Sequence, residues 1–573
     1  MRILHRVSLA DAAAHLVAIE TTVASDASDP LPESVELFMP VWTPGSYLVR
    51  EYARHVEGMV CEGHEVTKVR KNAWIVKTNG AREITVRYRV YCAELTVRTN
   101  HVDATHVYLN GAATFVCPKG HERDAIEVEL DVPEGWRTAT SLEHVAPRRL
   151  RAKHFDELVD SPIEAGLFRE ATTLAASRRH AFAIWPERAI QDASTQRLLE
   201  ATKTIVETEA SLFGGDLPHD GYTFLLHLSP RARGGLEHLA SSSLIAPENA
   251  FDSREGFLDL LSLVSHEYFH LWNVKRIRPA GLTPYRYEEE NYTRLLWWFE
   301  GATSYYDWRV LRLAKLCTVD EYLEHLATEL AYLDVTPGRL VHPLEGASFD
   351  AWIKLYRPDE NTSNSTVSYY RKGELVNLIF DVEIRARSNG RSSLDAVLLH
   401  LWKNFGAKSE AVPEDAMQRV FEEASGVRLG DLFDALVRSA REIDVEGALR
   451  RAGLAVERAP RAESTASLGM RVRSDGARVF VTTAFRGSAA QRAGIDAGDE
   501  ILALGGRRVE GSVDAAIAGH QPGEVVAVLV ARDGRVQSID VTLDPPRRDK
   551  IKIGVAKDAT DEQHAFRRAW IGE

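Results

Sequence analysis

Ser262-Leu263-Val264-Ser265-His266-Glu267-Tyr268-Phe269-His270-Leu271-Trp272 carries more chemistry than any other stretch of this 573-residue chain. In an α-helix, positions i and i+4 lie on one face, so His266 and His270 aim their imidazoles at one point. Glu267 is placed to reach a water held there. Two imidazoles, a carboxylate base and an open position are the parts with which a zinc ion activates water. The alternative is a helix whose two histidines simply hydrogen-bond inside a core. However, Leu258, Leu260, Leu261, Leu263, Val264, Phe269, Leu271 and Trp272 surround the motif on nearly every side, as in a helix buried all round. Three ionisable groups there are costly unless paired or bound to metal, which favours the metal reading.

A tetrahedral catalytic ion needs a third protein ligand and keeps its fourth position for water. Glu289 sits in the run Glu288-Glu289-Glu290 and reads as part of a solvated charge cluster. Glu300 is the lone carboxylate in Leu295-Leu296-Trp297-Trp298-Phe299-Glu300-Gly301-Ala302-Thr303-Ser304-Tyr305-Tyr306. A nearby cation removes the cost of burying it, so Glu300 is the expected third ligand. The small residues after it would let this segment approach another helix closely.

His266 to Arg276, followed by Trp298-Phe299-Glu300-Gly301, resembles the M61 glycyl aminopeptidases, gluzincin metallopeptidases related to the M1 aminopeptidases. The resemblance extends to Pro40-Val41-Trp42-Thr43-Pro44-Gly45-Ser46-Tyr47 and to a PDZ-like segment near the C-terminus, in the family's domain order. Thermolysin-type sites place an Asp four residues after the ligand Glu. Here that position is Ser304, and Asp307 is the candidate substitute for orienting a zinc histidine.

Between a short apolar strand and the motif helix lies Arg233-Gly234-Gly235-Leu236-Glu237-His238. Gly234 and Gly235 would let a backbone edge come close to a bound chain, as a strand pairing with a peptide requires. A plain glycine turn with an exposed carboxylate is the other reading. The resemblance implies that Glu237 binds the substrate's free amine, with His238 where the M1 relatives have Asn. Attack on an amide also builds an oxyanion, which needs a hydrogen-bond donor. Ser368-Tyr369-Tyr370-Arg371-Lys372-Gly373 resembles the Tyr-x-Lys-Gly segment that supplies it in M1 enzymes, which puts Tyr370 in that role and makes Tyr369 its rival.

Ser467 to Leu543 looks like a PDZ domain. Ser467-Leu468-Gly469-Met470-Arg471-Val472 corresponds to the carboxylate loop and pairing strand, and Gly498-Asp499-Glu500-Ile501 to a later strand. Such folds add a peptide as an edge strand, so a C-terminal peptide ligand is a possible partner; an empty or packed groove is the alternative.

The first 170 or so residues read as antiparallel β-structure. Ile84, Val86, Tyr88 and Val90, like Ile126, Val128, Leu130 and Val132, alternate with polar residues. The Trp42–Tyr47 turn reads as domain packing. Thr195 to Phe213 is expected to be helical and Tyr222 to Leu228 a strand. Segments 375–384, 394–401 and 416–424 repeat apolar residues at helical spacing. Glu457 to Ala466, with Pro460, reads as a linker, and the tail from Pro545, with Phe566 and Trp570, is a candidate to dock back. The expected architecture is multidomain α+β: an N-terminal β domain (1–170), a thermolysin-like zinc catalytic domain with a helical bundle (171–456), a PDZ domain (467–544) and a tail (545–573).

Charged residues are 27% and net charge is −13, which argues against nucleic acid or an anionic membrane as partner. There is no run of 18 apolar residues, and the N-terminus lacks a signal-peptide core. Cys61, Cys92, Cys117 and Cys317 show no paired spacing and suit reduced thiols in a cytoplasm. The sequence therefore reads as a one-zinc aminopeptidase acting on peptides, with small first residues (Gly or Ala) implied by the resemblance. The rivals are a zinc endopeptidase, and a PDZ adaptor whose peptidase domain is inactive.

Overall fold

The computed structural model describes residues 1–25, 29–230, 232–460 and 465–573. They gather into two compact units. The first comprises 1–293, 306–316 and 398–414; the second comprises 294–305, 317–397 and 415–573.

In the first unit, β1 (Arg2–Asp11) is the middle strand of a seven-stranded sheet. It runs antiparallel to β2 (Leu16–Ala24), which pairs antiparallel with β3 (Glu83–Tyr91). The alternation expected around Ile84 is real: Ile84, Val86, Tyr88 and Val90 are buried while Arg87, Arg89 and Tyr91 are exposed. β4 (Ile126–Asp131) departs from the expectation of uniformly antiparallel pairing, because it lies parallel to β1. Period-two burial reports which face a residue takes and carries no information on strand direction. The sheet covers a core that includes Trp74, Tyr88, Phe115 and Phe155.

A second sheet, of five strands, follows. Its order is β5 (Arg169–Ala175), β6 (Arg178–Trp185), β7 (Gly221–Leu228), β9 (Ser241–Ala246) and, at the edge, β8 (Gly234–Glu237). β6, β7 and β9 are parallel, and the crossover from β6 to β7 runs through α1 (Asp192–Leu212). Parallel strands need such a covering crossover, and β7, buried from Phe224 to Leu228, has the apolar run this burial demands. β8 turns back antiparallel on β9, pairing Gly235 with Leu244 and Glu237 with Ser242. α2 (Arg254–Phe269) starts at Ser253, whose hydroxyl accepts from the Gly256 N–H at 3.0 Å.

In the second unit, a short turn of helix (Leu296–Phe299) ends at Glu300, where α3 (Gly301–Leu313) begins. α4 (Val319–Asp334) and α6 (Arg371–Arg387) pack nearby, with the single turn α5 (Thr362–Ser365) between them in sequence. The helical spacing at 375–384, 394–401 and 416–424 corresponds to helices Arg371–Arg387, Leu394–Asn404 and Met417–Ser425. A Cβ on Gly301 would lie 2.6 Å from the Gly373 Cα, so the two segments touch backbone to backbone. That is the close approach the small residues suggested.

The stretch 457–466 needs correction. β10 (Leu454–Ala459) is a strand, paired antiparallel with β13 (Lys550–Val555), so the linker reading fails up to residue 459; residues 461–464 lie outside the described residues. The alternating partner Ile551-Lys552-Ile553 sits nearly a hundred residues away, which local pattern does not reveal. The segment between folds around its own core of Val479, Val481, Ile501, Val528 and Val541. Its outermost strand, β11 (Met470–Asp475), pairs with β12 (Arg478–Ala484). The tail does dock: α7 (Asp561–Ile571) buries Trp570, whose indole N–H donates to the Tyr305 hydroxyl at 2.8 Å. All four cysteines are buried and free, and no helix among the described residues is long and apolar enough to cross a membrane.

His5 on β1 gives the N-terminal sheet a pH signature. It is fully buried against Phe115, with Nδ1 2.9 Å from the Thr21 hydroxyl, and burial pushes its pKa down to about 3. A neutral imidazole in the fold and a protonated one in the unfolded chain mean that stability is complete above pH 6.5 and is lost as pH falls toward 3. His5→Gln is expected to lessen the fall in unfolding free energy by about 1.4 kcal/mol per pH unit between pH 6 and 4, read from denaturant titrations at each pH.

Candidate active site

α2 ends at Phe269, and His270 follows as its cap with helical dihedrals (φ −62°, ψ −17°), so the i, i+4 relation survives. The His270 Nδ1–H donates to the Asn273 carbonyl at 2.8 Å, and His266 Nδ1 lies 3.0 Å from Asp307 Oδ2. With both Nδ1 positions engaged, the two Nε2 atoms face each other at 3.2 Å. Two nitrogen lone pairs at that separation repel unless a proton or cation sits between them. Ligands of a tetrahedral zinc ion stand about 3.3 Å apart, so this pair fits a metal. Asp307 is buried and fixes the ring that it touches, as outer-shell carboxylates do.

Glu267, Glu237 and His270 converge, with one ligand atom of each within 4.8 Å of the others, and all three are buried. The edge strand β8 lies directly on Glu267: a Cβ at Gly235 would come within 2.0 Å of its Oε1. A side chain there would have to push Glu267 aside. Arg98 steadies the same strand, donating to the Gly235 carbonyl at 3.1 Å. Gly234, by contrast, has only Arg98 and Ile245 side chains nearby, at 3.6 and 4.0 Å, and is not crowded.

Glu237 is 4% exposed, so the reading of an exposed turn carboxylate does not hold. The turn Thr43–Ser46 meets it. Gly45 has φ +85°, and a Cβ there would stand 2.5 Å from Glu237 Oε2. Trp42 and Tyr47 on either side are buried as packing residues, the Trp42 indole N–H donating to the Arg286 carbonyl at 2.9 Å. Beneath Glu237, Lys275 bonds to Asp160 at 2.5 Å, and His238 Nδ1 lies 3.4 Å from the same carboxylate. Burial alone would raise the Asp160 pKa, but the charge of Lys275 and the His238 contact hold it down to about 2. Burial likewise opposes the charge on Lys275, and Asp160, with Tyr285 and Glu237 nearby, keeps it above its ordinary value.

In the second unit, Glu300 is 2% exposed and, through the Gly301–Gly373 contact, shares a neighbourhood with the two tyrosines. The Tyr370 hydroxyl lies 3.4 Å from that of Tyr356 and the residue is half-buried, whereas Tyr369 is fully buried. Burial, then the charge of Glu300, then Tyr356 push the Tyr370 pKa well up, so the phenol keeps its proton and can donate. Ser304 donates its backbone N–H to the Glu300 carbonyl at 2.8 Å and lies on α3. Glu289 pairs with Arg286 at the surface, as a solvated charge does.

Several residues behind the motif escaped sequence reasoning. The Tyr268 hydroxyl donates to His180 Nε2 at 2.9 Å, because the Nδ1–H of that ring goes to the Arg178 carbonyl, and lies 3.0 Å from His219 Nε2, anchoring α2 from below. Ser265 donates to Glu209 at 2.7 Å, and burial, with Asp307 adding, drives the Glu209 pKa well up, so it is a neutral carboxyl. A separate buried group, His106, Glu164 and His227, is closed by hydrogen bonds, with one imidazole on each carboxylate oxygen at 2.8 and 2.9 Å. These partners come from strands and helices distant in sequence, and only the Ser265 hydroxyl inside an apolar helix hints at any of them.

Residues 5–167 match the Peptidase M61 N-terminal domain, 259–376 match M61 glycyl aminopeptidase, and 466–543 match a PDZ domain. A crystal structure of an aminopeptidase N family protein from Idiomarina loihiensis is similar, with TM-score 0.92 and 27% identity over 99% of this chain and 100% of that one. An M1 zinc metallopeptidase from Deinococcus radiodurans is similar at 15% identity and TM-score 0.46, over 77% of this chain and 94% of its own. No curated protein matches the chain.

The crowding at Gly235 is directly testable. Gly235→Ala must displace Glu267 or the edge strand, so hydrolytic turnover is expected to fall about 100-fold or more while metal content and thermal stability stay near wild type. Unchanged turnover would show that Glu267 tolerates the shift and that the strand is not held against it.

Proposed function

We propose that this chain, a peptidase of the M61 family, is a zinc-dependent aminopeptidase that removes small N-terminal residues, glycine or alanine, from peptides. The observation that carries the reading is the pair of imidazole Nε2 atoms facing each other at 3.2 Å beside Glu267 and Glu237. His266, His270 and Glu300 would hold one zinc ion, which supplies a Lewis acid for the attacking water and the scissile carbonyl.

The remaining work falls to the chain itself. Glu267 takes the proton from the attacking water and then gives it to the leaving amine. Its burial against Gly235 excludes solvent from the reacting side. Glu237 holds the substrate's ammonium; the Asp160–Lys275 pair beneath it is neutral as a pair, so it does not consume Glu237's charge. An anchor for a free amine at one end of the site favours trimming ends over internal cleavage. The substrate backbone adds to the edge strand at Gly234 and Gly235, and Tyr370 donates its phenol proton to the oxyanion as the carbonyl becomes tetrahedral. The same resemblance supports a peptide partner for the PDZ domain, added along the outer strand β11.

Four measurements test this. Release from glycyl, alanyl and leucyl chromogenic amides should fall in that order, vanish on chelation and return with zinc; chelator-insensitive release would defeat the zinc reading. Glu267→Gln should keep its zinc and lose about 10²- to 10⁴-fold in kcat. Acetylating the substrate's amine should abolish cleavage in the wild type, whereas retained cleavage would establish an endopeptidase and remove Glu237 from its role. Asp307→Asn should weaken zinc binding about 10- to 100-fold in competition with a chelator.

A further inference from the structure

Asn364, in the single turn α5, is 3% exposed, and both ends of its side-chain amide are used. Its Nδ2 donates to the Ala484 carbonyl at 2.9 Å, and its Oδ1 accepts from the Arg486 N–H at 2.8 Å. Both partners belong to the PDZ domain, at the end of β12 on either side of Phe485. One amide thus grips a PDZ backbone segment as a neighbouring strand would. The contact has a second point next door: Arg471, on the outer PDZ strand β11, reaches the Ser363 hydroxyl at 3.5 Å and lies over the Phe485 ring.

Six residues after Asn364 the chain arrives at Tyr370, and little of that path is slack. The Thr366 hydroxyl is 2.8 Å from His342 Nδ1. Its backbone presses on Gly338, where a Cβ would meet the Thr366 carbonyl at 2.0 Å. Ser368 closes the first turn of α6, its hydroxyl accepting from the Arg371 N–H at 3.3 Å and its carbonyl from the Lys372 N–H at 3.0 Å. A short strap, held at Thr366 and Ser368, therefore connects the PDZ domain at one end to the Tyr370 phenol at the other.

We propose that Asn364 is a positioning residue through which the docked PDZ domain holds the Tyr370 hydroxyl where the oxyanion forms. The inference rests on the role given to Tyr370 above and adds that the PDZ domain acts on its own chain's chemistry. Asn364 touches neither substrate nor metal; it sets where the strap begins. Losing the grip lets residues 364–370 shift. Because a donor aimed at the oxyanion matters most in the transition state, the effect belongs in kcat and leaves KM nearly unchanged.

The test is a double-mutant cycle on the full-length zinc-loaded enzyme, with a glycyl amide as substrate. Asn364→Ala is expected to lower kcat about 10-fold with KM and zinc content unchanged. In a Tyr370→Phe background, the same substitution should cost nothing further, because its route to the reaction is already gone. Equal losses in both backgrounds would overturn the proposal, as would full activity of Asn364→Ala. Near-wild-type activity of Tyr370→Phe alone would instead remove the role of Tyr370, and the proposal with it, and that arm reads this separately. Should Asn364→Ala fail to fold, Asn364→Asp serves in the same cycle. It is isosteric, keeps the acceptor for Arg486 and sets a carboxylate against the Ala484 carbonyl.

Discussion

Two imidazole nitrogens facing each other at 3.2 Å form the constraint around which the catalytic part of this protein is arranged. Both rings turn their Nδ1 positions to acceptors, which brings the two Nε2 atoms together on the other side. The arrangement persists because α2 is locked. Apolar side chains bury it on nearly every face, Tyr268 is pinned by two further histidines, and Ser265 is tied to Glu209. A helix so fixed cannot rotate its histidines apart, so the energetic conflict is left for a cation to resolve. The rigidity of the helix and the close approach of the two Nε2 atoms are two aspects of one packing arrangement.

The same packing sorts the charges. Asp160 and Lys275 neutralise each other, Glu209 is neutral through burial, and Asp307 leans on His266. Glu267 and Glu237 meet beside His270 as a local surplus of carboxyl groups. A cationic metal and a substrate ammonium are the partners such a surplus would take, and a peptide with a free N-terminus brings the second.

Much of this was legible in the sequence, and the parts that were not share a cause. His266, Glu267 and His270 were readable because a helix converts fixed spacing into a shared face. The alternation around Ile84 was readable for the matching reason in strands. The parallel pairing of β1 with β4, the strand at 454–459 with its partner at 550–555, and Glu209 behind Ser265 were not. Each depends on a partner far along the chain, and a local pattern states burial without naming what covers it. Asp307 lies between these cases. The absence of an acid at Ser304 raised the question, and only the 3.0 Å contact to His266 ties Asp307 to that ring.

Three glycines lie against residues of the candidate site. Gly235 lies on Glu267, Gly45 on Glu237, and Gly301 on Gly373 beside Tyr369, each with less room than a methyl group needs. In the first two cases the crowding atom is a carboxylate oxygen, and in the third it is backbone that carries a glutamate and a tyrosine. A side chain at any of these would displace the group it meets, and in the roles proposed above for Glu267 and Glu237 such a shift costs catalysis more than it costs stability. In an ordinary core, apolar side chains fill the space, and here the backbone itself has been moved up to do so.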